Sequence, residues 1–179
     1  MTSPEERFYY NICELADFLL DLTQLCADEG VQTIDPKILA YGKSLLANYD
    51  KTYLIDNFIN YTNEYWEEIR THNVNFFLQH GSSIFGSLPI NNVNLFQVFY
   101  TANDRQGNPI LTEEDKETLW SYFSALVRIS IKYIHEKRKP KLVQTPKGLQ
   151  PSYKVNFMSN IKVRQHANAW EIELPGFNV

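Results

Sequence analysis

Residues Gly81-Ser82-Ser83-Ile84-Phe85-Gly86-Ser87-Leu88 have the glycine spacing of a phosphate-binding loop. That chemistry needs a lysine directly after the second glycine and then a hydroxyl, to reach phosphate and Mg²⁺. Ser87 and Leu88 occupy those places, so the stretch reads as a turn between helices. It also fails as a nucleophile elbow, because Phe85 stands two residues past Ser83, where a glycine is required. His135-Glu136 begins a zinc-hydrolase spacing, but Lys139 stands where the second histidine belongs. Glu64, Glu68 and His72 are four residues apart and could grip a metal from one helix face; an ordinary solvated face accounts for them as well. The loop 103–109 is no calcium site, since Ala102 would have to supply the first ligand. Asn60-Tyr61-Thr62 matches a glycosylation acceptor that has no use without secretion. Cys13 and Cys26 fall in or beside an apolar stripe, where a free thiol behaves as a small hydrophobe. The residues therefore predict no catalytic, cofactor or metal site, and the expectation is a protein that is not an enzyme.

The remaining chemistry is charge. Residues 1–131 hold 8 Lys/Arg and 18 Asp/Glu, a net of −10, while residues 132–179 hold 9 and 3, a net of +6. Lys132, His135, Lys137, Arg138, Lys139, Lys141 and Lys147 form a basic run, with a nuclear-localisation-like core at Lys137-Arg138-Lys139-Pro140-Lys141. Such a run can bind phosphates, but the aromatics near it are too few for a base-stacking platform. Complementary signs on body and tail favour a second use, in which the tail lies across a body, its own or a neighbour's. Aromatic and arginine side chains anchor such contacts. The predicted partner-binding residues are Lys137, Arg138, Lys139, Lys141, Tyr153, Phe157, Arg164 and Trp170.

These groups need elements to hold them. Ser3-Pro4-Glu5-Glu6 is a capping-box start, and Phe8, Ile12, Leu15, Leu19, Leu22 and Cys26 follow at helical spacing as far as Gly30. Asp35-Pro36 starts a second helix, with Ile38, Leu39, Leu45, Leu46 and Tyr49 on its apolar side. A third helix is expected over Tyr53 to Arg70, and a short fourth before a loop from Gly81 to Pro89. Asn92 to Thr101 reads as a short buried helix, and 103–109 as an exposed turn. Thr112 starts a long central helix that runs to about Arg138, stopped by Pro140. Beyond it, residues 153–157, 161–163 and 170–174 alternate as strands do, with too few apolar residues for a separate core.

The 179 residues, 44% hydrophobic, suit one domain with an appendage and exclude wholesale disorder. Asp17 and Asp21 interrupt the longest apolar run, so no membrane partner is expected. The first residues are acidic, unlike a secretory leader, and two cysteines suit a reducing compartment, so an intracellular setting (cytoplasm, nucleus or virion) is expected. Residues 110–140, with Ile110-Leu111-Thr112-Glu113-Glu114-Asp115, Leu119-Trp120-Ser121-Tyr122-Phe123, Leu126 and Tyr133, form a pattern that resembles small helical proteins of nucleocytoplasmic large DNA viruses. The resemblance covers about a sixth of the chain, carries no functional residue across and implies virion or assembly roles. The expected architecture is all-α: a multi-helix bundle over residues 1–139 and a basic, extended, partly β C-terminal arm over 140–179. The expected function is a structural or interaction protein that uses this arm to contact protein partners or to form a homo-oligomer. The alternative is a nucleic-acid-associated protein that binds phosphates through residues 132–147.

Overall fold

Ser3 opens the first helix, α1 (Pro4–Asp28), with a reciprocal cap. Its hydroxyl accepts from the Glu6 amide at 3.2 Å, and the Glu6 carboxylate accepts from the Ser3 amide at 3.1 Å. The helix ends where Gly30 takes a φ of +72°, letting the amides of Gly30 and Val31 reach the carbonyls of Ala27 and Cys26. Arg105 also donates to the Asp28 and Glu29 carbonyls, placing a cation on the negative end of the helix.

The computed structural model describes residues 2–31, 35–85 and 95–137, with strand segments at 141–146, 148–152, 163–166 and 169–172. After α1 come α2 (Pro36–Leu46), α3 (Lys51–Thr62), a 3₁₀ turn (Asn63–Tyr65), α4 (Trp66–Arg70), α5 (Val74–Phe85), α6 (Leu95–Thr101) and α7 (Glu113–Lys137). Asp35 and Asp50 cap α2 and α3, and Thr112 and Asp115 form a second reciprocal cap on α7. Among the described residues the helices all lie before residue 138, and the strands all lie after residue 140. The strands form two antiparallel hairpins: β1 (Lys141–Thr145) with β2 (Gly148–Ser152), and β3 (Val163–His166) with β4 (Ala169–Ile172).

Two elements differ from the sequence reading. The segment from Tyr53 to Arg70 is not one helix. The Thr62 hydroxyl takes the Phe58 carbonyl, and the Asn63 amide takes the carbonyls of Ile59 and Asn60. These side chains compete for backbone acceptors, and the chain tightens into a 3₁₀ turn before restarting at Trp66. Helix α5 continues past Gly81 to Phe85, so the expected loop begins later. The rest of that loop, 86–89, lies outside the described residues.

Helices α1 and α7 run antiparallel. Glu5 meets Lys137 at one end, and Phe18 meets Tyr122 near the middle, with ring centroids 5.9 Å apart. Phe8, Ile55, Ile59, Trp66, Phe77, Val127 and Ile131 form the main core between α1, α3, α4, α5 and α7. A smaller core of Leu22, Cys26, Phe99, Ile110 and Leu111 lies beneath the 102–111 loop. Aromatics fill the junction of α4, α5, α6 and α7. Trp120 sits among Phe77, Phe96 and Phe123, with His72 stacked on it at 4.9 Å. His72 has a φ of +49°, a left-handed conformation that costs a non-glycine residue about 1–2 kcal/mol. It reverses the chain at the end of α4, and Asn73 then caps α5 by accepting from the Phe76 amide.

Candidate interaction surface

The basic run is built on the last turns of α7. Lys132 lies 3.8 Å from Glu136, one turn further along. Lys137 reaches across to the start of α1, its Nζ 2.8 Å from Glu5 Oε1. Two cations of the run therefore already have acidic partners in the body. Lys141 pairs in register with Ser152, Arg164 with Glu171, and Trp170 with Gln165. Arg138, Lys139, Tyr153 and Phe157, named by the same reading, lie outside the described residues, as does Lys147.

Glu5 is 8% exposed, and its Oε2 has no hydrogen-bond partner. Burial raises the pKa of this carboxyl, but Lys137, the helix amide and Ser3 outweigh it and hold the group below the ordinary carboxylate value. A depressed folded-state pKa stabilises the fold above the unfolded value of 4.5 and ceases to do so as pH falls through the folded value. Glu5→Gln should therefore flatten the loss of stability on acidification below about pH 4.5. Lys137→Met should lower stability at neutral pH, by less than the loss of a fully buried pair would, because the lysine side chain is 57% exposed. Urea unfolding at a series of pH values checks both; parallel profiles for wild type and Glu5→Gln would contradict the assignment.

The sequence reading missed a second surface. Among the described residues, every large apolar side chain that stands exposed lies between Tyr10 and Tyr61: Tyr10, Leu25, Ile38, Tyr41, Tyr49, Tyr53 and Tyr61. Ile38 and Tyr49 were read on the apolar side of the second helix; α2 ends at Leu46 and buries none of its residues, and both side chains stand exposed. Four of the rings form two pairs near Lys51. Lys51 lies over the Tyr9 ring at 5.4 Å, Tyr9 contacts Tyr10 at 5.9 Å, and Tyr49 stacks on Tyr53 at 5.6 Å on either side of Lys51 in the chain. The Lys51 ammonium is also 3.8 Å from Glu6, and Lys43 pairs with Asp17 on the same helix as Tyr9. A hydrogen bond with Cys13 holds the Tyr9 phenol above its usual pKa. The pattern was legible in part: Tyr9-Tyr10 are adjacent, and adjacent residues on a helix cannot both face one core.

Among the described residues no three His, Cys, Asp or Glu side chains gather as a metal site. The Glu64/Glu68/His72 face is not formed as expected, because the 3₁₀ turn interrupts the helix and His72 lies over Trp120. The Glu68 carboxylate instead accepts from the Asn73 amide at 2.6 Å. No helix among the described residues is long and apolar enough to cross a membrane. Comparison with family models, with curated proteins and with solved structures gives no match to this chain.

Proposed function

We propose that the chain is a structural or interaction protein without enzymatic activity, of the kind that serves as a minor virion or assembly component. The helical body supplies rigidity, and the C-terminal segment after Lys139 makes contacts with protein partners or with further copies of the chain. The observation that carries this reading is the row of exposed tyrosines on an acidic body, with a segment of opposite charge in the same chain. Tyrosine offers contact area and a polar edge at little cost in side-chain entropy, which is why it is frequent at interfaces. Both cysteines are free, in keeping with an intracellular, reducing setting.

The alternative is phosphate binding by residues 132–147. It has less support, because Lys137 is paired with the buried Glu5 and the body around it is acidic. Deleting residues 140–179 separates the outcomes. The expected product is a folded helical monomer that no longer assembles, seen by circular dichroism with light scattering. An unchanged oligomer would overturn the proposal. Salt-dependent retention of the full chain on DNA or RNA, lost when Lys137, Arg138 and Lys139 are neutralised, would favour the alternative.

A further inference from the structure

The tyrosine surface on α1, α3 and the turn before α3 has a definite chemistry. Tyr10, Tyr49 and Tyr53 are 57%, 48% and 56% exposed, so the helical body leaves them uncovered. The two lysines nearest these rings, Lys43 and Lys51, lie against Asp17 and Glu6, and exposed Glu14 stands one helical turn from Tyr10. Over residues 1–62 there are 4 Lys/Arg and 10 Asp/Glu, a net of −6. The complement is an extended basic segment, whose lysines and arginines can lie on phenol rings and meet carboxylates. The chain contains one: residues 140–179, beyond α7, carry 5 Lys/Arg and 2 Asp/Glu, a net of +3. Three half-exposed tyrosines and the partly buried Tyr9 offer on the order of 400 Å², about half of what one partner contributes to a standard interface, leaving the remainder to the acidic flanks.

We propose that the face formed by Tyr9, Tyr10, Tyr49 and Tyr53 around Lys51 receives the basic C-terminal segment of a second copy of the chain. Two copies then clasp reciprocally, each giving its segment to the other's face. This rests on the reading that the C-terminal segment makes protein contacts, and it names the surface that segment meets. A closed two-fold arrangement satisfies both faces at once and leaves no open end.

The test uses full-length chains in analytical ultracentrifugation. The wild type should dimerise, and its dissociation constant should rise at least about tenfold between 0.1 and 0.5 M salt. Tyr49→Ser/Tyr53→Ser removes aromatic cover without touching the core and should weaken the dimer by about 100-fold. Lys141→Glu/Arg164→Glu should weaken it similarly from the other side. Mixing the two variants should restore association, because the mixed dimer keeps one intact junction and neither homodimer keeps any. A monomeric wild type, or no recovery on mixing, would overturn the proposal. If the segment variant dissociates and the face variant does not, the segment docks elsewhere: this inference fails and the function proposed above stands. If neither variant changes the dimer, both fail.

Discussion

Replacing Trp66 with alanine is expected to lower the free energy of unfolding by about 3–5 kcal/mol, the usual cost of deleting a large buried ring. For a chain of this length that is a fall in Tm on the order of 10 °C. The reason lies in where α4 begins. Trp66 is fully buried, and its indole N–H donates to Thr62 Oγ1 at 2.9 Å, while that hydroxyl donates to the Phe58 carbonyl at 2.6 Å. The relay ties the indole to the last turn of α3 across the 3₁₀ turn, so the alanine variant loses core volume and the fixed angle between two helices. Thr62→Val keeps the shape but leaves the indole N–H without a partner, at about 1–3 kcal/mol. Urea unfolding followed by circular dichroism measures both, and a Trp66→Ala variant within about 1 kcal/mol of wild type would contradict the packing described.

Trp120→Ala should cost a similar amount, again about 3–5 kcal/mol, with a different local signature. Trp120 touches Phe77 edge-on at 5.4 Å, Phe123 edge-on at 5.9 Å and Phe96 at 5.7 Å, and it donates to the Tyr100 hydroxyl at 2.8 Å. Removing it uncovers His72, whose left-handed backbone is held beside the ring. The expected result is lost protection of the 71–77 amides in hydrogen exchange, beyond the global loss of stability. Tyr100→Phe removes only the acceptor and should cost about 1–2 kcal/mol, because the indole N–H at this partly buried site loses its partner. If the 71–77 amides exchange no faster in Trp120→Ala than its global stability dictates, Trp120 does not hold the His72 turn.

What could be read from the sequence was what neighbouring residues decide among themselves. The α1 start depends on Ser3 and Glu6, and its end on Gly30, all local choices. The break after Thr62 depends on short polar side chains outcompeting helical hydrogen bonding, which an apolar stripe does not report. Periodicity also says which residues share a side, not whether another element covers it. Hence Ile38 and Tyr49 share the apolar side read from the spacing and still stand exposed. The candidate surface was half legible for the same reason. Summed charge is visible in any order of residues, so the acidic body and basic segment could be seen. The link between Lys137 and Glu5, and the approach of Lys51 to Tyr9, depend on α7 and α3 lying against α1.

The antiparallel pairing of α1 with α7 sets a timetable for the chain as it is made. The first helix leaves the ribosome well before its main partner, Glu113–Lys137, which starts more than a hundred residues after the start of α1. At about 5–20 residues per second, Phe8 and Leu15 wait several seconds or longer for the α7 surface that completes their burial. Nascent-chain aggregation should therefore be most sensitive to that stripe, and a holding chaperone would find its binding site there.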